Sequence, residues 1–322
     1  MRKLLVGTRA SVLARTQAGT VSDALTAGGD PAELHFVHTP GDASQKAQTP
    51  VNRIGVGVFT ETLRNALADG ECDVAVHSFK DLPTAPDPRF IQVVPDRADS
   101  REVLVSLDNL RLRDLPQGAL VGTGAPRRVA QIRGMRPDIG CVPIRGNIDT
   151  RMGRVGDGTA DDGTGDLAAV VLARAGLERV GHLSRAAETV DPADIMPAPA
   201  QGALCVEVRA DDDVAVAAVR ALDDRVSHAR AVAERAILAT LGAGCTAPVG
   251  AWSEVSNGRM LLRGGVFALD GSRRLVREVT GTFGDSGDDY TAAFELGARI
   301  GRELLEAGAA EIMDEASPSG PL

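Results

Sequence analysis

Two stretches decide the fold: "LLVGTRASVLA" at residues 4–14 and "ALVGTGAPRRVA" at residues 119–130. Each runs from an apolar strand through Val-Gly-Thr into a helix with arginine about its first turn. The echo predicts two similar lobes, each presenting a helix N-terminus directly after a strand. In open α/β sheets ligands gather at the carboxyl ends of strands. A cleft between the lobes is therefore the expected binding site.

Outward from these anchors, short apolar runs predict strands at "ELHFVHT", "CDVAVHS", "IQVVP", "EVLVSL", "CVPI" and "LAAVVLA". Helical periodicity marks "SVLARTQAGTVSDAL", "VFTETLRNALADG", "APRRVAQIRGM", "NIDTRMGRV" and "ARAGLERVG". Strands alternating with helices imply α/β domains with largely parallel sheets. Beyond about residue 210 the pattern changes. "SHARAVAERAILATLG" reads as a helix with Ser227 as its N-cap. "MLLRGGVFALDGSRRLVREVTGTF", with "SNG" just ahead of it, reads as an antiparallel meander. "TAAFELGARIGRELLEAG" closes the chain as a helix. The Gly/Asp-rich insert at 156–166 reads as a mobile surface loop.

The 322 residues allow two or three domains with a substantial core. Aromatics make up only 3%, so Ala, Val, Leu and Ile must build it. The net charge of −9 disfavours nonspecific nucleic-acid binding. The N-terminal apolar run is too short for a signal peptide, and no stretch is long enough to span a bilayer. The four cysteines, Cys72, Cys141, Cys205 and Cys245, show no CxxC spacing. That fits a reducing cytoplasm and gives no support for a metal site.

Almost all positive charge is arginine, since the only lysines are Lys3, Lys46 and Lys80. Arg127 and Arg128 follow Pro126, a favoured first helical residue. Cations there oppose the helix dipole, and an anionic ligand would reverse the sign. Arg9 sits in a similar place, and the repeat in both lobes points to anion binding. In "IRGNIDTRM", Arg145 and Arg151 flank a turn after a strand, although Asn-Ile-Asp could simply cap a helix. In "VAVHSFKDLPT", His77, Ser78, Lys80 and Asp81 follow a buried strand, and Pro83 blocks a helix. The Lys-Asp pair reads equally as acid/base machinery or as a polar turn. Cys245, in "LGAGCTAPVG", reads on its own as a packed thiol, the usual state of a lone cysteine.

Taken together, "GTRASVLARTQA", "TPGD", "VHSFKDLPT", "GTGAPRR", "IRGNIDTRM", "LARAGLERVG", "PAPAQGALCVEVR" and "LGAGCTAPVG" closely resemble the hydroxymethylbilane synthase (porphobilinogen deaminase) family, in that family's order. The resemblance implies two lobes like type II periplasmic binding proteins, with mixed sheets, and a small α+β C-terminal domain. The implied boundaries are 1–94 plus 191–209, 95–190 and 210–322. It implies a transferase of haem and related tetrapyrrole biosynthesis. Four porphobilinogen molecules are deaminated and coupled onto a dipyrromethane, and hydrolysis releases hydroxymethylbilane. The dipyrromethane is a covalent cofactor, and Cys245 matches its attachment point.

By the same resemblance Asp81 is the catalytic group, stabilising positive pyrrole nitrogens and helping to move protons. Lys80, Arg127, Arg128, Arg145, Thr123, Gly124 and Ser78 match cofactor-binding positions. Arg9, Ser11, Arg151, Arg179 and Gln17 match substrate-binding positions, and His77 shapes the turn. The partner is small-molecule porphobilinogen, with no nucleic acid, membrane or metal, in a cytoplasmic monomer. The chain departs from the family pattern at Gly124-Ala125, where hydroxyl residues are usual, at Val56, where lysine is usual, and at Ala200, where glycine is usual. The competing reading is a two-lobed cytoplasmic anion-binding or sensor protein without catalysis.

Overall fold

The computed structural model describes residues 2–37, 58–157, 165–284 and 289–315. Along the chain the elements are β1 (Leu4–Thr8), α1 (Val12–Ala27), β2 (Ala32–Phe36), α2 (Val58–Ala68), β3 (Val74–Ser78), β4 (Phe90–Val93), β5 (Glu102–Ser106), β6 (Leu120–Gly122), α3 (Pro126–Met135), β7 (Gly140–Val142), α4 (Ile148–Met152) and β8 (Ala169–Ala173). There follow α5 (Arg174–Arg179), β9 (Glu188–Val190), β10 (Leu204–Arg209), α6 (Asp213–Arg220), α7 (Arg225–Thr240), β11 (Val249–Ser256), β12 (Arg259–Phe267), β13 (Arg274–Thr282), α8 (Asp289–Glu306) and α9 (Ala309–Glu315). They group into two compact units, Met1–Ala98 with Gly202–His228, and Asp99–Gln201 with Ala229–Leu322.

The first unit holds a five-stranded sheet in the order β2-β1-β3-β10-β4. Side chains alternate between its faces, as the two-residue period of a strand requires. Leu4 and Val6 of β1 and Val74 and Val76 of β3 join Val21 and Leu25 of α1 and Val216 and Val219 of α6 in one core cluster. Leu5 and Ala75, one residue out of phase, pack with Leu63 and Leu67 of α2 on the opposite face. A sheet covered on both faces explains why its strands read as continuous apolar runs.

The second unit repeats the plan with β7-β6-β8-β5-β9. Leu104, Ala169 and Val171 face Ile132 of α3. Val103, Val105, Val170 and Leu172 face Met152 of α4 and Leu177 of α5. Both sheets are mixed, which corrects the largely parallel pattern read from strand-helix alternation. Strand β10 lies antiparallel between β3 and β4, and β5 lies antiparallel to β8 and β9. Periodicity carries no information about strand direction. It also missed β9, which is only three residues long, and β10, where "ALCVEVR" places a charge inside a buried strand.

The third sheet, also within the second unit, is the antiparallel meander β11-β12-β13. Its first turn is Asn257-Gly258, both at positive φ (49° and 67°), as the preferred two-residue hairpin turn requires. Ile237 of α7, Ile300 and Leu304 of α8 and Ile312 of α9 cover it. The N-cap of α7 differs from the sequence reading. The helix starts two residues before Ser227, and the Ser227 amide donates to the Asp224 carboxylate at 2.7 Å. The Ser227 hydroxyl is buried and accepts instead from the Arg97 amide at 3.0 Å. "TPGD", Val56 and the centre of the 156–166 insert lie outside the described residues. Among the described residues no helix is long and apolar enough to cross a membrane.

Candidate active site

In the first unit, β1 and β3 are parallel neighbours with Gly7 opposite Ala75, so both strands deliver their following residues to one edge. Arg9 leaves β1. Ser11 caps α1, its hydroxyl accepting from the Ala14 amide at 3.3 Å. At the end of β3 the chain tightens into a 3-10 turn, Phe79–Asp81, closed by the Leu82 amide donating to Phe79 O at 3.3 Å. Phe79 is buried and its amide donates to Ala203 O at 3.1 Å, which pins the turn to the segment entering β10. With Phe79 held inside, Lys80 is partly buried and Asp81 is exposed.

The Asp81 carboxylate therefore sits at the carboxyl edge of the sheet, beside a lysine and on the edge that also carries Arg9. Gln17 is buried, and its amide donates to the Ser78 hydroxyl at 3.0 Å. The structure thus gives Gln17 and Ser78 a shared job, tying α1 to the base of the Asp81 turn. His77, just before it, is buried with Nε2 3.2 Å from Glu207 Oε2. That leaves it turned inward, against the neighbouring strand β10 that carries Glu207.

In the second unit, β6 ends at Gly122 and Thr123 is buried. Its amide donates to Val142 O at 2.9 Å, and its hydroxyl accepts from the Ala125 amide at 3.4 Å. At Gly124 a Cβ would come within 3.1 Å of Ile144 O, so the loop passes too close to the backbone for a side chain without adjustment. Pro126 opens α3 as expected. Arg127 and Arg128 point inward, only 4% and 6% exposed. Both meet the Glu102 carboxylate, which is fully buried. Arg127 Nη2 donates to Oε1 at 2.5 Å, and Arg128 donates through Nε at 3.0 Å and Nη2 at 2.8 Å. Arg127 also donates to Met196 O, and Arg128 to Val171 O at 2.8 Å. Glu102, the shared partner of both arginines, was not singled out by the sequence reading. Its only signal was a carboxylate opening the buried run "EVLVS".

Burial opposes ionisation of Glu102, but Arg128 and Arg127 outweigh it and hold its pKa at about 2. Burial also pulls the Arg127 pKa down, with Glu102 opposing. Gly146, at φ +97°, turns the chain after β7, and Asn147 caps α4 by accepting from the Thr150 amide at 2.8 Å. Arg145 is exposed on this turn. Arg151 reaches back from α4 to donate to Gly146 O at 2.9 Å. Arg179 ends α5 half-buried, its pKa lowered by burial and partly restored by Glu178.

Cys245 corrects the reading of a packed thiol. It is exposed, in the loop between α7 and β11. A Schellman-like ending, with Gly242 at φ +62° and the Ala243 amide donating to Leu238 O at 3.1 Å, turns the chain out of α7. The Ala247 amide donates to Gly244 O at 3.0 Å, and the Val249 amide to Ala247 O at 2.8 Å, returning it to β11. A Cβ on Gly244 would meet nothing within 4 Å, so the residue before Cys245 borders open space.

The first unit thus carries an exposed carboxylate at a strand edge, and the second carries arginines around strand-helix turns and an exposed cysteine. The model described as "Porphobilinogen deaminase, dipyromethane cofactor binding domain" matches residues 4–217, and "Porphobilinogen deaminase, C-terminal domain" matches residues 228–306. The porphobilinogen deaminase of Corynebacterium glutamicum (strain R) is 53% identical, across 98% of this chain and 99% of that one. The porphobilinogen deaminase of Nocardia farcinica (strain IFM 10152) is 52% identical, across 99% and 90%. A YaeC-family lipoprotein structure from Enterococcus faecalis V583 overlaps loosely, at 15% identity and a TM-score of 0.39 over 71% of this chain and 94% of that one. The chain belongs to the porphobilinogen deaminase family. It is a transferase of tetrapyrrole biosynthesis with a dipyrromethane cofactor, and it makes hydroxymethylbilane from porphobilinogen.

Proposed function

We propose that Cys245 is the residue that holds the dipyrromethane, through a thioether, and that Asp81 is the catalytic carboxylate. The observation that carries the first assignment is the exposure of Cys245 on a loop of small residues, the other cysteines being buried or half-buried. When bound, the cofactor supplies the pyrrole carbon to which porphobilinogen units are added. Asp81 presents an anionic oxygen at the sheet edge, where it stabilises positive charge developing on a pyrrole nitrogen and accepts or returns a proton. Lys80 and Arg9, on the same edge, attract the acid arms of the substrate.

Arg127, Arg128, Arg145, Arg151 and Arg179 hold carboxylates of the cofactor and the growing chain. Thr123 and Gly124 shape the turn that leads into α3. Ser11 and Gln17 brace the first-unit edge, Gln17 through Ser78. The sequence-based division at 1–94 plus 191–209, 95–190 and 210–322 is proposed with one adjustment. Because α6 packs into the core of the first sheet, the body that carries Cys245 begins within α7. The protein is proposed to be a cytoplasmic monomer, in keeping with four cysteines that form no disulfide.

Intact-protein mass spectrometry tests the assignment. The native protein is expected to exceed its polypeptide mass by one dipyrromethane, and Cys245→Ala to match its bare polypeptide. A full adduct on Cys245→Ala would place the tether elsewhere.

A further inference from the structure

Each five-stranded sheet contains one strand inserted antiparallel, and each such strand carries a glutamate of zero exposure: Glu207 in β10 and Glu102 in β5. The two are balanced differently. Glu207 takes both nitrogens of one arginine, Arg64, at 2.9 and 2.7 Å, together with the Gln92 amide at 2.8 Å and His77. One negative charge meets one permanent positive charge. Glu102 meets two, Arg127 and Arg128. The remaining partners of those arginines are neutral carbonyls, Met196 O and Val171 O. The cluster thus holds one formal positive charge beyond its internal carboxylate, at the start of α3, where the helix dipole adds positive potential.

Resting on the proposed anion-holding role of Arg127 and Arg128, we infer that Glu102 is a positioning residue of the reaction: an internal counter-carboxylate that aims both arginines and sets their site to accept one ligand carboxylate. Two bare guanidiniums would grip an acid arm too hard for a chain that must shift as it grows. Two fully neutralised ones would not grip it at all. Gln131 supports the aim, its amide donating to Arg127 O at 3.1 Å and Met196 O at 3.2 Å while its carbonyl accepts from the Met196 amide at 2.8 Å. The strand end, the helix start and the segment at Met196 are thereby held in one frame.

The test is charge compensation between Arg127→Gln and Glu102→Gln in cofactor-loaded enzyme, with KM, kcat and covalent intermediates by intact mass as readouts. Arg127→Gln removes the surplus charge, and KM should rise about tenfold or more. Adding Glu102→Gln restores one positive charge, and KM should return to within about threefold of native. Glu102→Gln alone should lower both KM and kcat and let partly extended chains accumulate. If that single variant does not fold, the double variant still decides, because it leaves one buried arginine without a counter-carboxylate rather than two, and a thermal melt confirms that it is folded. A double variant as impaired as Arg127→Gln, or more so, would reduce Glu102 to a structural residue and overturn the inference. An Arg127→Gln enzyme with native KM and cofactor load would instead remove Arg127 from the binding set, and with it the premise of the inference.

Discussion

The backbone N–H of Ala200 donates to the Glu234 carboxylate at 2.8 Å, and this bond holds Ala200 in the left-handed region at φ +60° with no exposure. Glu234 is itself fixed, since its other oxygen accepts from the Ser253 hydroxyl at 2.6 Å. An L-residue with a Cβ is strained there by about 1–2 kcal/mol, and glycine is not. Glycine loosens the unfolded chain, which offsets about 0.4–1 kcal/mol of the relief. Loss of the fully buried methyl takes back about 0.8 kcal/mol more. Ala200→Gly should therefore stay within about 0.5 kcal/mol of native, read as a nearly unmoved urea midpoint at unchanged m-value, whereas an unstrained buried alanine would lose more than about 1 kcal/mol on the same change. A midpoint lowered by that much would mean that the alanine conformation carries no strain.

Asp81 is exposed, whereas the residue that anchors its turn, Phe79, is buried. Function and stability are therefore separable at this turn. Asp81→Asn keeps the side-chain shape and should change stability by no more than about 0.5 kcal/mol. Turnover should fall about a hundredfold or more, because the amide neither balances positive charge nor accepts a proton. Single-turnover porphobilinogen consumption measures this, with a thermal melt as the control. Near-native consumption would take Asp81 out of the central role.

The repeated strand-Val-Gly-Thr-helix stretches were enough to place both lobes, because a buried strand and the helix that follows it are written locally. "SNG" was enough for the meander turn, because Asn257 and Gly258 meet the demand for positive φ within two residues. The direction and insertion of β10 were not legible, because they depend on β3 and β4, more than a hundred residues away. The inward aim of Arg127 and Arg128 was hidden for a related reason. Their place at the start of α3 could be read, but their partner lies on another strand, and nothing near them announces Glu102. The exposure of Cys245 was likewise set by how the chain leaves α7 and enters β11, not by its neighbours' composition.

The two buried glutamates predict an acid limit to stability. Glu102 and Glu207 are both held at about 2, against an ordinary value of 4.5. Burial opposes ionisation in each case. It is outweighed by Arg128 and Arg127 at Glu102, and by His77 and Arg64 at Glu207. A depressed folded-state pKa gives stability that is fully present above the unfolded value and lost as pH falls towards the folded one. Each group should contribute about 3 kcal/mol at neutral pH, eroding between about pH 4.5 and 2. Melting temperatures should hold from pH 7 to 5 and drop steeply below. Glu207→Gln should start lower at pH 7, since Arg64 is left buried without its counter-charge, and should lose less on acidification. A variant whose acid slope equals the native one would show that Glu207 does not carry this dependence.

Gly146 makes the sharpest link between backbone and arginine placement. It lies at φ +97°, and a Cβ there would come within 2.8 Å of Thr150 Cγ2, in the first turn of α4. Its carbonyl receives Arg151 Nε at 2.9 Å, and Arg145 precedes it. Gly146→Ala therefore strains the turn and displaces the helix start on which Arg151 stands. The strain should cost about 1–2 kcal/mol, small beside the stability of a large core, so the variant should fold. The functional loss should be greater, because both arginines shift with the turn. An increase in KM of about tenfold, with a smaller change in kcat, is the expected result, since ground-state and transition-state holding of the acid arms fall together. Gly146→Ala with native KM would show that Arg145 and Arg151 do not depend on this turn for their grip.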